Sequence, residues 1–312
     1  MSQVRRRTKS VKLNGWLAVH KEAGMTSTRV VEKVKQITRA DKAGHGGTLD
    51  PFSEGVLPVA LGEATKTLGL VLNGDKAYRC WIRLGAESDT GDPTGIITPG
   101  GGGPLPDRET VVAALAAYHG EQEQVPPIYS AIHVNGERAY EIARRGETVV
   151  MEPRRVVFHH LELVTFADGL AVVDVRCSKG TYMRSLARDL GRDLGCLAYL
   201  ERLLRTRSLG FALAECKTLD VLAETVEAGR LAEVLLPVDR ALDDIPALRL
   251  RLEAWSQIMN GQAVWMDADG VKPGTVRLLS PEGVFGAMGS LGQGLDASGR
   301  SLCTPKRLFH AA

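Results

Sequence analysis

The segment Gly44-His45-Gly46-Gly47-Thr48-Leu49-Asp50-Pro51 concentrates a carboxylate, an imidazole and three glycines in eight residues. Pro51 steers Asp50 toward extended backbone and so fixes the direction of its side chain, while glycines let a backbone approach a ligand without a Cβ in the way. A carboxylate aimed like this is equipped to act as a base or a nucleophile. The same residues also suit a tight Asp-Pro turn in which Asp50 caps the loop's own amides. A second feature is Tyr78, the first residue of an alternating run, where its ring is either an ordinary half-buried aromatic or a stacking surface. A third is a row of eight cations, Arg176, Lys179, Arg184, Arg188, Arg192, Arg202, Arg205 and Arg207, interrupted only by Asp189, Asp193 and Glu201 after Asp174. Such a row is either a solvated face or a surface for a polyanion.

The overall charge of +2 conceals segregation. Residues 1–52 carry eleven Lys or Arg against four Asp or Glu, and the arm Arg5–Arg7, Lys9 and Lys12 is expected to bind phosphates without sequence preference. The longest uncharged run, Pro93–Pro106, is full of Gly and Pro, so no membrane-spanning helix is expected. The basic start lacks an apolar stretch behind it, which points to a cytoplasmic protein without a secretory signal. Five cysteines with no CxxC pair encode neither a disulfide framework nor a zinc cluster. GxxxxGK[ST], GxGxxG and GxSxG do not occur, and the adjacent His159 and His160 point to opposite faces of a predicted strand. An enzyme with this sequence is expected to work without metal or organic cofactor, through carboxylate, phenol and guanidinium groups.

These residues need elements to hold them. Gly15–Lys21 reads as a strand, followed by a helix capped by Ser27 with Val30, Val31, Val34 and Ile37 on one face. Residues 43–58 hold too many glycines and prolines for a regular element and read as one long, shaped loop. Tyr78–Leu84 alternates as a strand. Residues 92–106 read as an exposed connection, followed by a helix capped by Asp107 with Val111, Val112, Leu115 and Tyr118 inward. The runs 154–166 and 170–177 form a hairpin over Ala-Asp-Gly, and a helix capped by Thr181 follows, its stripe Met183, Leu186, Ala187, Leu190 and Leu194. Hairpins without a strict βαβ rhythm make the fold class α+β. A small β-rich second domain is expected at 243–312, after a main domain at 13–242 and a basic arm at 1–12.

Read onward from Gly44, the string GHGGTLDPFSEGVLPVALGEATK resembles the signature of the TruB family of tRNA pseudouridine synthases. The other family blocks follow in order: HKEAGMTS from His20, DKAYR from Asp75, YSA from Tyr129, and CSKGTYMR from Cys177 with Asp189-Leu190-Gly191. The resemblance spans about residues 13–240. It departs from the family pattern at Glu22, where proline is common, and at Met183, where isoleucine or valine is usual. It implies a pseudouridine-synthase fold with a mixed, largely antiparallel central sheet flanked by helices. The tail resembles a PUA-type RNA-binding domain by position and β-rich character. The implied reaction is isomerisation of uridine 55 in the tRNA T loop to pseudouridine by base flipping, without cofactor and with a monomer sufficing. By the same resemblance Asp50 is the catalytic aspartate, Tyr78 stacks on the target base and is a candidate for moving the C5 proton, and Arg184 pairs with Asp50. Tyr182 and Leu203 line the pocket, His45 occupies space in the remodelled T loop, and Lys21 and Lys66 are assigned to substrate binding. The chemistry is consistent with these roles: the product has the atoms of the substrate, so neither redox equivalents nor ATP are needed, and an aromatic ring replaces stacking lost on flipping.

Overall fold

The computed structural model describes residues 10–71, 74–100, 102–130, 132–134, 136–268 and 270–309. The basic residues Arg5–Arg7 and Lys9 of the expected arm, and Ala131 of the YSA block, lie outside them. Strand β1 (Gly15–Lys21) and helix α1 (Ser27–Thr38) form where alternation and a 3.6-residue apolar stripe require them, with Val30 and Val34 fully buried. The cap lies one residue earlier than expected: the Thr26 side chain accepts from the Arg29 amide, and Ser27 turns inward.

Residues 43–58 are not a single loop. Strand β2 (Ala43–His45) and strand β3 (Glu54–Leu61) flank a shorter loop at 46–53. Counting Gly and Pro misleads here because β3 is buried on both faces, so it is encoded by the apolar run Val56–Leu61 rather than by alternation. Pro58 is tolerated within it; its carbonyl still accepts a hydrogen bond, from the Gly46 amide.

The remaining elements of the first sheet region are β4 (Lys76–Leu84), α2 (Arg108–Ala117), β5 (Gly120–Gln124), α3 (Ala139–Arg144), β6 (Arg154–Ala167), β7 (Leu170–Cys177), α4 (Met183–Asp193), β8 (Ala198–Ser208), β9 (Phe211–Ala212) and α5 (Leu219–Glu227). Nine strands make one mixed sheet in the order β1-β3-β8-β4-β7-β6-β5, with β2 on β3 and β9 on β8; only the β3–β8 pairing is parallel. One face of β4, β7 and β8 packs Cys80, Ile82, Val173 and Leu200 against Leu186, Ala187 and Leu190 of α4 and Val111 and Leu115 of α2. Val112 is exposed, one position off the buried stripe of α2. At the other end, α1 and α5 cover β1 and β3. This is the expected α+β class with a mixed, largely antiparallel sheet. No helix among the described residues is long and apolar enough to cross a membrane.

From Ala247 the chain forms a second, five-stranded sheet: β10 (Ala247–Arg249), β11 (Val264–Met266), β12 (Gly274–Leu279), β13 (Phe285–Leu295) and β14 (Ser301–Leu308), in the order β10-β12-β13-β14-β11, with helix α6 (Leu252–Met259) against it. It has its own core around Val276, Leu278 and Ile258, and it meets the first sheet where Met288 and Phe309 pack among Leu209, Phe211 and Leu242.

One contact sets how closely the first sheet brings its strands together. Gly55 pairs with Arg205 across the parallel join, at φ 108°, and a Cβ there would stand 2.3 Å from the Arg205 carbonyl oxygen. Replacing Gly55 by Ala is therefore expected to cost at least about 2 kcal/mol in a denaturant titration; an unchanged midpoint would contradict this register.

Candidate active site

The loop at 46–53 carries Asp50, and nearly every carbonyl around it is held. Ser27, released from capping, latches it from α1: its hydroxyl accepts from the Leu49 amide at 2.8 Å and donates to the Leu49 carbonyl at 3.1 Å. Gly24 donates its amide to the Pro51 carbonyl, and the Ser53 amide donates to the Asp50 carbonyl. Gly46 is small because a Cβ there would lie 2.5 Å from Leu209. At that position the loop's glycine serves close packing within the protein rather than approach to a ligand.

Two buried cations complete the scaffold. Lys21, with 0% of its surface exposed, donates to the carbonyls of Glu22, Pro51 and Ser53. It is a strut under the loop rather than a group that touches substrate, which corrects its expected role. Burial pushes its ammonium down to about 8, against the opposing pull of Asp50. Replacing Lys21 by Met keeps the length and removes a donor from three carbonyls, of which Pro51 keeps the Gly24 amide, at about 1–3 kcal/mol for each left unpaired where water cannot reach. A lowered melting temperature is expected; wild-type stability in the variant would show the strut to be dispensable. The second cation, Arg205, donates from Nε to Val56 O at 2.8 Å, from Nη1 to Thr48 O at 3.3 Å and from Nη2 to Gly47 O at 3.0 Å.

The loop faces Arg184 on the first turn of α4. That helix starts at Tyr182 without a side-chain cap; Thr181, expected to provide one, donates instead to the Ser178 carbonyl. Gln124 of β5 clasps the start of the helix, its Oε1 accepting from the Tyr182 amide and its Nε2 donating to the Tyr182 carbonyl. Arg184 is 4% exposed, and its Nε lies 3.0 Å from Asp50 Oδ2. Arg184 pairs with Asp50 as expected, though through Nε alone and not through a fork of two parallel hydrogen bonds. The N–H at Nε is poorly aligned with the carboxylate, and the rest of the guanidinium serves other groups. Nη1 donates to Thr90 O at 3.0 Å and stands 3.5 Å from Asp92 Oδ2, while Nη2 donates to Tyr129 O at 2.7 Å.

Asp92 was expected in an exposed connection, yet it is 5% exposed and accepts from Thr90, from the Thr94 amide and from the Thr94 hydroxyl. The DPTG run is an Asx turn folded over Asp92, a signal legible in principle from the Asp-Pro-Thr-Gly order. Arg184 thus bridges two carboxylates. Burial raises the Asp50 carboxyl above its ordinary value of 3.8; Arg184 opposes that rise and Asp92 adds to it. The Asp50 side chain keeps 35% of its surface open, because it sits at the floor of a walled cleft.

Asp50, Tyr78, Tyr182, Arg184 and Leu203 line one hollow of about 530 Å³, within the roughly 300–1,000 Å³ typical of small-ligand sites. Tyr78 and Leu203 reach it from β4 and β8, and burial raises both the Tyr78 and the Tyr182 phenol. A second hollow, about 920 Å³, shares Thr48, Leu49, Asp50, Ser130 and Arg184 with the first and is lined by His45, Arg138, Tyr140 and Arg144. Burial holds the His45 imidazole below its ordinary value, and Arg205 adds to that effect.

Lys66 lies outside both hollows. It donates to Glu63 at 2.6 Å and to the Leu308 carbonyl at 3.3 Å, so it joins the two sheets instead of facing substrate. Nor do the eight cations at 176–207 form one surface. Arg184 and Arg205 are buried, and Arg202 pairs with Glu54 at 2.6 Å and lies over the Trp81 ring. The carboxylates that meet Arg184 and Arg202 come from distant segments, which a local count of acids does not register.

Residues 35–183 match the model of the TruB family pseudouridylate synthase N-terminal domain, and residues 184–243 match that of the tRNA pseudouridylate synthase B C-terminal domain. The chain is 42% identical over 307 residues to the tRNA pseudouridine synthase B of Nitrobacter winogradskyi, covering 96% of this chain and 83% of that one. It is 43% identical over 255 residues to the protein of the same name from Zymomonas mobilis, covering 80% and 84%. In fold it is similar to a chain in the structure of an H/ACA RNP bound to a substrate RNA containing 2′-deoxyuridine, with TM-score 0.73, 23% identity and coverage of 95% and 85%. Family-model matches that run from residue 35 to residue 243, with 42% identity to such a synthase over 96% of the chain, make the chain a member of the TruB family of pseudouridylate synthases.

Proposed function

We propose that the chain isomerises uridine 55 in the T loop of tRNA, the position-specific form of the uridine-to-pseudouridine reaction in tRNA that its family carries out. The observation that carries this reading is Asp50, tied to Arg184 and open into the same hollow as Tyr78. The target uridine flips into that hollow, where the Tyr78 ring and the Leu203 and Tyr182 walls replace its lost stacking, worth roughly 1–3 kcal/mol per base. Asp50 attacks the base or the sugar, the N1–C1′ bond breaks, the uracil turns, C5 bonds to C1′, and the bond to Asp50 breaks to return the free carboxylate. The C5 proton is lost and N1 gains one, so the product has the composition of the substrate. Arg184 keeps Asp50 ionised against its burial. The larger second hollow suits the remodelled T loop, with His45 in its wall.

Residues 13–242 form the catalytic domain in this reading, and 243–312 a PUA-like domain that adds RNA contact. The protein acts as a monomer. The test is incubation of the purified protein with an unmodified tRNA transcript and no additives, followed by site-resolved detection of pseudouridine. Conversion at position 55 alone is expected; no conversion of bare tRNA would refute the assignment and favour a synthase that needs a guide RNA. A tRNA-folding activity is a second reading, motivated by the breadth of the second hollow and its Arg138, Tyr140 and Arg144 lining.

A further inference from the structure

Arg205 is an unusual residue to bury. It is 1% exposed, and no carboxylate among the described residues forms an ion pair with it. A lone interior cation is costly, and an apolar side chain in its place would serve stability as well or better. Its N–H groups are instead spent on the site. Three go to the carbonyls of Gly47, Thr48 and Val56, one stem of the Asp50 loop and then the other. A guanidinium has five N–H donors and no acceptor, which leaves two. Arg205 is the cross-strand partner of Tyr78 in the β8–β4 ladder, so their side chains share a face, and both line the hollow that Asp50 enters. The guanidinium and the Tyr78 phenol, cross-strand partners on the wall of one hollow, interact electrostatically, and an unspent N–H lies on the side of that phenol.

Because the guanidinium only donates, the phenol oxygen must be the acceptor, and its own hydrogen is left to point elsewhere. We infer that Arg205 is a positioning residue of the reaction: it joins both stems of the Asp50 loop to β8 and grips the Tyr78 phenol by its oxygen, leaving the O–H as a donor facing the flipped nucleoside. This rests on the function proposed above. Arg205 by itself favours the phenolate, but the larger effect of burial raises the phenol, so Tyr78 is an oriented ring that keeps its proton rather than the group that accepts the C5 proton.

A double-mutant cycle on the full chain tests this, using Tyr78→Phe, Arg205→Lys and their combination, with single-turnover conversion of a tRNA transcript and tRNA affinity measured for each. Arg205→Lys is expected to lower the single-turnover rate about 100-fold while affinity stays within about threefold, and to cost at least about tenfold less when Phe already stands at 78. Losses that multiply, or a rate within about threefold of the parent for Arg205→Lys, would overturn the inference. If Arg205→Lys does not fold, the parent and Tyr78→Phe proteins labelled with 15N-arginine decide it: a slowly exchanging guanidinium N–H signal that moves when the phenol is removed supports the contact, and an unmoved spectrum overturns it. That spectrum is informative even if the parent converts no tRNA, so failure of the contact and failure of the proposed function are told apart.

Discussion

Asp50→Asn protein is expected to form no measurable pseudouridine, a loss of about four orders of magnitude or more, while binding tRNA within a few-fold of the parent. The amide is nearly the size of the carboxylate, so the loop contacts of Ser27, Lys21 and Gly24, which are made to backbone or to other residues, remain. What disappears is the nucleophile, together with one of the two negative charges that Arg184 bridges. Single-turnover conversion of a radiolabelled transcript measures the rate and filter binding the affinity. Turnover at the parental rate would remove Asp50 from the mechanism and with it the proposed function. The same protein separates the second reading: if it still accelerates tRNA folding as the parent does, that activity is independent of the chemistry.

The second large effect is expected at Arg184. Arg184→Met keeps much of the apolar stem and removes the charge, so Asp50 and Asp92 then face each other with no cation between them, and the carbonyls of Thr90 and Tyr129 lose their donors. Breaking a buried pair on one side costs about 3–5 kcal/mol, visible in a denaturant titration. The rate is expected to fall at least about 100-fold. Arg184→Lys restores the charge without the planar reach to four groups and should lie between the two.

The pH dependence gives a signature that a merely weakened fold would not. The folded Asp50 carboxyl is raised above 3.8, so the folded protein binds this proton more readily than the unfolded chain. Its contribution to stability is therefore present at low pH and is lost as pH rises from 3.8 through the raised value, while the reactive, ionised form appears over that same rise. Removing Arg184 takes away the influence that lowers this carboxyl, and the acid limb of the rate profile is expected to move to higher pH. An unmoved limb would mean that Arg184 does not control the charge on Asp50.

Much of the site was legible before folding. Asp50, Tyr78, Tyr182 and Arg184 stand in the family's sequence blocks, Leu203 follows from the same resemblance outside them, and one hollow contains all five. The alternation of Tyr78–Leu84 reports directly which side chains turn inward, because a strand repeats every two residues whatever surrounds it. Lys21 and Lys66 were misread for a common reason. A lysine's role depends on which carbonyl or carboxylate meets its ammonium, and those partners lie at Pro51 and Ser53 for one and at Leu308 for the other. Ser27 shows the same in miniature: its type suits a cap, but only the folded loop supplies the Leu49 backbone that it holds instead.

The sequence by itself determined the mixed class of the fold, the strand that presents Tyr78 and the apolar stripe that seats α4, since these follow from local periodicity, whereas the membership of the reactive set followed from the resemblance to a family. Only the tertiary structure decided which cations are spent inside the protein, that Asp92 shares Arg184 with Asp50, and that β3 is a strand despite its glycine and proline. The reason is physical: burial and the approach of charges from segments far apart in the chain set the energy of each ionisable group, and neither quantity exists until the strands have paired.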